Sequence, residues 1–376
     1  MIIELKGMGV ENKGAHLMLE AVKQQFNQHN ITLAISWDSG GVGYRKAKEL
    51  GLFYLPPNLG KKAVVFKLIK HLPKTVRRSF NIILDEEVDV ILDGSGFAYG
   101  DFWGANKPLR RFQNVLAGKT SRNAKSILLP QALGPFDDDK VRRSFNKVLD
   151  KSDLVFVRDE QSMEYMINAY GLQQKFILAP DFTNLVDAGP EQNYPEGEIC
   201  LIPNYKMFTQ DKEAYMSFLI KVRIFLKNQD KKVYYLIHEG ERDKEIAKEL
   251  NRSLALNDPI VEEFDPIKIK NRIKSADLII VSRFHGLVSA LSQGVPAITT
   301  SWSHKYQILM KEYDQEDALI DIRNYDFGNV KNLISIFLSK GKAAFRNEQA
   351  DTIQKQKERS KLMWEKLKKH ISIQYK

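Results

Sequence analysis

One cysteine, Cys200, is the whole thiol inventory of this chain of 376 residues. An internal disulfide is excluded, as is any metal cluster built on thiolates, and the apolar run ICLIP around Cys200 predicts a buried, inert side chain. The sequence also lacks an HExxH pattern and any cluster of aspartates and histidines, so no metal is expected. No uninterrupted apolar stretch approaches the ~20 residues of a membrane span, and no signal peptide precedes the strand-like run Ile2 to Leu5. These absences predict a cytoplasmic protein. Recognition motifs of the common nucleic-acid modules are missing, and the basic residues are not interleaved with aromatics in a repeating way. The net charge of +10 is therefore assigned to anionic small molecules, phosphorylated lipids or a membrane surface, and no nucleic acid is expected.

What is present is an alternation of strand-like and helical patterns. Ile2 to Leu5, Thr32 to Ser36, Val88 to Leu92, Ser126 to Leu129 and Leu154 to Val157 read as strands, with Ala15 to Gln25 as a helix between the first two. Asp187 to Gly197 holds two glycines and two prolines without apolar periodicity and is the best linker. A second series follows: strands at Ile199 to Ile202 and Lys232 to His238, helices near Lys212 to Asn228 and Asp243 to Leu254, then a strand-helix-strand unit from Ala276 to Thr300. The length suits two α/β domains, placed at residues 1–186 and 198–346. Residues 347–376 form a charged helical tail whose sparse stripe of Ile353, Leu362, Met363, Leu367 and Ile371 is expected to pack back across the domains.

Lys61 to Arg78 carries seven basic residues and no acidic one, with apolar residues between them. That composition fits a membrane surface or an anionic ligand, and equally a solvated helix. Arg110, Arg111, Lys119, Arg122 and Lys125 extend the basic character.

The densest chemistry lies in ADLIIVSRFHGLVSALSQGVPAITT, Ala276 to Thr300. Leu278 to Val281 has the continuous apolar run of a strand buried on both faces, Gly286 to Gln293 can form two helical turns, and Gly294 and Pro296 stop them. Arg283 and His285 then fall at the carboxyl end of a parallel strand, beside a helix N-terminus whose free N–H groups favour an anion. Other strand ends carry candidates of their own. GMGVENKGA, Gly7 to Ala15, is either a binding loop or a tight turn in which Asn12 can donate or accept. Asp93, Gly94, Ser95 and Gly96 make a corner where Asp93 can orient a sugar hydroxyl, act as a base or fix the turn. Gln131 and Gly134 follow an apolar strand in LLPQALGPF, a segment read as a rigid turn shaped by Pro130 and Pro135. Arg158 ends a strand in FVRDEQSMEY, free for bidentate anion binding or paired with Asp159, Glu160 or Asp181, and Asp159 or Ser162 can cap the next helix. Of the seven histidines only His285 occupies a position the fold marks as functional, with His238 and His304 weaker candidates.

The order of these motifs resembles the polysaccharide pyruvyl transferases: NKGA at Asn12, DGSG at Asp93, PQALGPF, VRDEQS at Arg158, the Pro180–Asp181 pair and SRFHGLVSALSQGVP. The resemblance spans most of the chain and implies two Rossmann-like domains in a GT-B-like arrangement, with the active site in the interdomain cleft. It also implies phosphoenolpyruvate as donor substrate, no cofactor, and a pyruvate ketal built on a polysaccharide or lipid-linked glycan precursor, while the basic segment Lys61 to Arg78 makes peripheral contact with the inner face of the membrane an expectation. Carried over by motif, Arg158, Arg283, Ser162 and Gly286 are expected to bind the donor. His285 is expected to give the proton and Asp93 to serve as base, with Asn12, Gly94, Ser95 and Gln131 on the acceptor. Two alternatives remain, a GT-B nucleotide-sugar glycosyltransferase and a non-catalytic glycan-binding protein of the same fold.

Overall fold

A computed structural model describes residues 1–27, 30–57, 69–194 and 199–372 of the chain. Contacts divide it into two units, the first comprising Met1–Phe182 with Arg359–Lys376 and the second Thr183–Glu358. In the first unit, strands β1 (Ile2–Lys6), β2 (Thr32–Ser36), β3 (Phe53–Leu55), β4 (Val90–Asp93), β5 (Phe97–Tyr99), β6 (Lys125–Leu133), β7 (Leu154–Val157) and β8 (Phe176–Leu178) form one sheet. Its order is β3-β2-β1-β4-β6-β7-β8, and β5 pairs with β6. Neighbours run parallel, so both faces are covered by helices and the strands are apolar runs without alternation, as in the wholly buried β7. The chain turns back between β1 and β4, which fixes the switch point at their carboxyl ends.

The second unit repeats the plan. Strands β9 (Ile199–Ile202), β10 (Val233–Ile237), β11 (Ile260–Glu262), β12 (Leu278–Val281), β13 (Ala297–Thr300) and β14 (Leu319–Ile320) form a parallel sheet in the order β11-β10-β9-β12-β13-β14, with its switch point between β9 and β12. Cys200 is fully buried on β9, where burial pushes its thiol up to about 12.

Two local expectations are corrected. Pro130 does not end its strand in a rigid turn: β6 runs on to Leu133, with a register shift against β7 between Leu128 and Gln131. A bulge accommodates the proline, which has no N–H to give the ladder. Val88 lies outside β4, because Asp85–Glu87 makes a 3-10 turn directly before it.

The terminal helix, Ala350–His370, counts with the first unit from Arg359 onward. There Trp364 lies edge-on to Phe26 at 5.9 Å and to Phe182 at 5.7 Å. Ile353, Met363, Leu367 and Ile371 are buried, whereas Leu362 is 57% exposed and Trp364 takes the central place the stripe omitted. Among the described residues, no helix is long and apolar enough to cross a membrane.

Candidate active site

In the first unit the site grows from the β4 corner. Asp93 ends β4 with its side chain fully buried, and three neighbours donate to it: Ser95 Oγ at 2.6 Å, Tyr99 Oη at 2.7 Å and Gln131 Nε2 at 3.4 Å. Burial and the adjacent Asp93 push the Tyr99 phenol well above its ordinary value, so it remains a donor. The loop after β1 lies directly against this corner. Gly7 has φ +74°, and a Cβ there would sit 2.3 Å from Ser95 Oγ. Only glycine allows that approach. Gly94 is packed on Met8, whose Cγ would lie 2.9 Å from an added Cβ.

Asn12 is exposed, and its Oδ1 accepts from the Ala15 N–H at 3.0 Å as N-cap of the Lys13–Phe26 helix. Arg158 follows β7 and is buried, with Nη1 3.7 Å from Asp181 Oδ2. Its backbone N–H donates to Gln131 O at 3.1 Å, so the Arg158 and Asp93 corners are joined through β6. Ser162 is wholly buried and its Oγ accepts from the Leu133 N–H at 3.0 Å, while Asp159 caps the helix by accepting from the Ser162 N–H at 2.7 Å. An aromatic group borders the corner: the Trp103 ring meets Phe97 at 5.8 Å and the exposed Phe102 at 4.9 Å.

In the second unit the turn after β12 is held by a buried polar network. Asn204 Nδ2 and Tyr306 Oη donate to Ser282 O at 2.6 and 2.9 Å, Tyr215 Oη donates to Ser282 Oγ at 2.9 Å, and Ser282 Oγ meets Thr300 Oγ1 at 2.7 Å. Arg283 then takes extended backbone, φ −107° and ψ 126°, and stands as N-cap of the Phe284–Leu291 helix. The helix therefore starts two residues before the expected Gly286, and His285 lies within its first turn. Gly286 lets that turn close on the sheet, since an added Cβ would lie 3.1 Å from Val281 Cγ2 and 3.3 Å from Ile202 Cδ1.

Arg283 faces two carboxylates. Nε and Nη2 donate to Asp243 at 2.9 and 2.6 Å, and Nη1 donates to Glu239. Burial pulls the guanidinium down to about 10 and pushes the Asp243 carboxyl up. The fork contact opposes both shifts by stabilising the two charges together. Beside them, Lys305 Nζ stands 4.8 Å from the Phe284 ring centre and 4.6 Å from that of Trp302, and Phe284 is edge-on to His285 at 5.5 Å. A second cation thus sits at the start of the same helix.

A family model for polysaccharide pyruvyl transferases matches residues 12–304, from the Asn12 cap to the start of the helix after β13. The chain belongs to the polysaccharide pyruvyl transferase family. Among curated proteins, none matches it. Solved structures show the fold of this pyruvyl transferase across both units. The UDP-GlcNAc 2-epimerase of Methanocaldococcus jannaschii, in complex with UDP-GlcNAc and UDP, is 17% identical, with TM-score 0.55 over 91% of this chain and 94% of that one. The Neisseria meningitidis UDP-GlcNAc 2-epimerase bound to UDP-GlcNAc is 12% identical, with TM-score 0.58 over 98% and 99%. HepE of Anabaena, in complex with UDP and glucose, is 12% identical, with TM-score 0.60 over 99% of each chain. The fold is accordingly the GT-B class, two Rossmann-like α/β units with parallel sheets.

Within the first unit of the pyruvyl transferase, Asp93, Gly94, Ser95 and Gln131 form one cluster, and Arg158 adjoins it through the backbone. Within the second, Arg283 and His285 share a helix start. Sequence reasoning missed Asp243 and Lys305. An acid in the first turn of the Gly240–Ser253 helix was the available signal for Asp243. The WSHK segment had offered only His304, although Lys305 is the residue carried over the aromatic rings.

Proposed function

We propose that this pyruvyl transferase takes its pyruvyl group from phosphoenolpyruvate and builds a ketal on two hydroxyls of a polysaccharide or lipid-linked glycan precursor. The carrying observation is the Arg283 guanidinium, its side chain only 14% exposed, immediately before a helix start that holds His285. A cation at the positive end of a helix dipole suits a small polyanion. His285 then gives a proton to C3 of the enol, which becomes a methyl group, while C2 turns electrophilic. One sugar hydroxyl adds to C2, the C2–O bond to phosphate breaks, and the second hydroxyl closes the ketal. Of the two hydroxyl protons, one balances that taken up by C3 and the other leaves on phosphate. The reaction is redox-neutral and closes without a cofactor. Arg158 and Arg283 hold the donor's phosphate and carboxylate, with Ser162 and Gly286 shaping their turns. Asp93, held by Ser95 and Gln131, takes the attacking hydroxyl's proton, and Asn12 and Gly94 border the acceptor.

The test is thermal stabilisation by phosphoenolpyruvate against UDP- and GDP-sugars, since a ligand that binds only the folded protein raises its midpoint. Phosphoenolpyruvate is expected to stabilise the wild type but not Arg283→Ala or Arg158→Ala, and His285→Ala should bind the donor yet lose turnover. Selective stabilisation by a nucleotide sugar would replace the proposal with a glycosyltransferase.

A further inference from the structure

Charged side chains on a central parallel strand are costly, yet β1 carries two of them. Glu4 is fully buried and Lys6 is 2% exposed, and they pair at 2.7 Å on the same face of the strand. Asp85 comes up beside them from the turn before β4, and Asn114 bridges the acids: its Nδ2 donates to Glu4 Oε2 at 3.1 Å and to Asp85 Oδ1 at 3.1 Å. These groups line a pocket together with Asp38 and Trp37, and Trp37, 39% exposed, marks its solvent side. None of these residues has a role in the proposed ketal chemistry.

The pocket is unsatisfied in one sense only. Among the described residues, Asp85 Oδ2 and Asn114 Oδ1 are both buried and find no hydrogen-bond partner. Both are acceptors. The amide orientation follows from the network, because turning Asn114 over would set its oxygen against two carboxylates. Of the charged lining residues, the bases Lys6 and Lys119 balance two of the three acids Glu4, Asp38 and Asp85, so one negative charge is left over. An incoming group must therefore donate hydrogen bonds and carry no negative charge. Phosphate and carboxylate are the wrong ligands here, and Lys6 disfavours a metal cation. The cavity volume of about 30 Å³ has room to seat a hydroxyl-sized group.

We infer that this pocket binds a neutral pyranose, one hydroxyl directed to Asp85 and Asn114 and the ring laid against Trp37. An indole at the rim of a polar floor offers a sugar both of the surfaces it presents, apolar ring face and hydroxyls. Burial, with Glu4 next, raises the Asp85 carboxyl to about 6, so the ligand's donated hydrogen bond also relieves a charge that the fold leaves under-solvated. The pocket as a place for the acceptor glycan rests on the pyruvyl transfer proposed above. Its affinity for a sugar does not.

The experiment is saturation-transfer NMR on the full chain with methyl glycosides of glucose, galactose, mannose and N-acetylglucosamine. Thermal stabilisation by phosphoenolpyruvate is read on the same samples. At least one glycoside is expected to bind the wild type, to lose about tenfold or more in affinity in both Trp37→Ala and Asp85→Asn, and to resist competition by inorganic phosphate. Trp37 is at the surface and the Asp85 change keeps the side chain's shape, so both variants are expected to fold, which circular dichroism checks. If no glycoside binds, or if either folded variant binds as the wild type does, the pocket proposal is overturned. Sugar binding with this variant pattern, but without stabilisation by phosphoenolpyruvate in any sample, would keep the pocket and remove the donor assignment.

Discussion

Arg283 has committed donors from all three guanidinium nitrogens to Asp243 and Glu239. An anion that binds it must compete with at least one of these carboxylates. Glu239 is the partner that can yield, since its side chain is 33% exposed and it holds a single guanidinium nitrogen, whereas Asp243 is fully buried and bidentate. Glu239→Gln is therefore expected to tighten phosphoenolpyruvate binding by roughly threefold to tenfold, measured calorimetrically. Unchanged or weaker binding would show that the anion does not meet this guanidinium. Asp85 offers a second measurement. Its folded pKa is raised from the ordinary 3.8 to about 6, so ionising it costs more in the fold than in the unfolded chain, and that cost accrues as pH rises between those two values and is fully present above about 6. Asp85→Asn should stabilise the protein on the order of 2 kcal/mol at pH 8 and have little effect at pH 4, read from denaturant midpoints. At this scale the sequence displayed which residues stand at the strand ends, because Asp93, Arg158, Arg283 and His285 each follow an apolar run. It did not display their partners. Glu4 and Asp85 are 81 positions apart and became one site only when β1 and the turn before β4 were brought side by side.

Elements were legible where a run was long. The strands at Leu154–Val157 and Ile199–Ile202 and the Lys212–Asn228 helix coincide with their sequence patterns, because burial on both faces or a three-turn stripe leaves an unmistakable period. The short strands β3, β8, β11 and β14 went unread, since two or three residues establish no period. Turns are testable at this level. Gly7→Ala combines a left-handed backbone with a Cβ lodged in Ser95, and should cost roughly 2–4 kcal/mol. Gly51→Ala, with φ +72° and open space around it, should cost about 1 kcal/mol. Equal losses in urea unfolding would mean that the loop after β1 moves away from Ser95 without penalty. Of the basic segment from Lys61 to Arg78, residues 61–68 lie outside the described chain. In the remainder Arg77 is buried in an ion pair with Glu87, while Leu72, Val76 and Phe80 stand exposed at four-residue spacing beside Lys70 and Lys74. A peripheral contact with anionic membrane predicts that Lys70→Glu with Lys74→Glu weakens binding to phosphatidylserine vesicles in sedimentation assays, and unchanged binding would refute it.

At the scale of the molecule, the alternation of strand and helix was enough to announce two α/β units, but not where the last helix spends its hydrophobic surface. Trp364 was invisible as core because the tail around it is charged and its stripe sparse. Its packing between Phe26 and Phe182 ties residues from opposite ends of the chain into one unit, and Trp364→Ala should cost roughly 3–5 kcal/mol in the unfolding of that unit. A loss below 1 kcal/mol would show the terminal helix to be dispensable for it.

Cys200 acquires a practical meaning in this setting. Its thiol is sealed within β9 and remains protonated far above neutral pH, so maleimide reagents should pass the native protein by. A cysteine introduced at exposed Phe102 in one unit, and another at exposed Phe264 in the other, would be the two reactive thiols of an otherwise silent chain. A dye pair on those positions would report how the distance between the units responds to phosphoenolpyruvate, with no native residue needing removal.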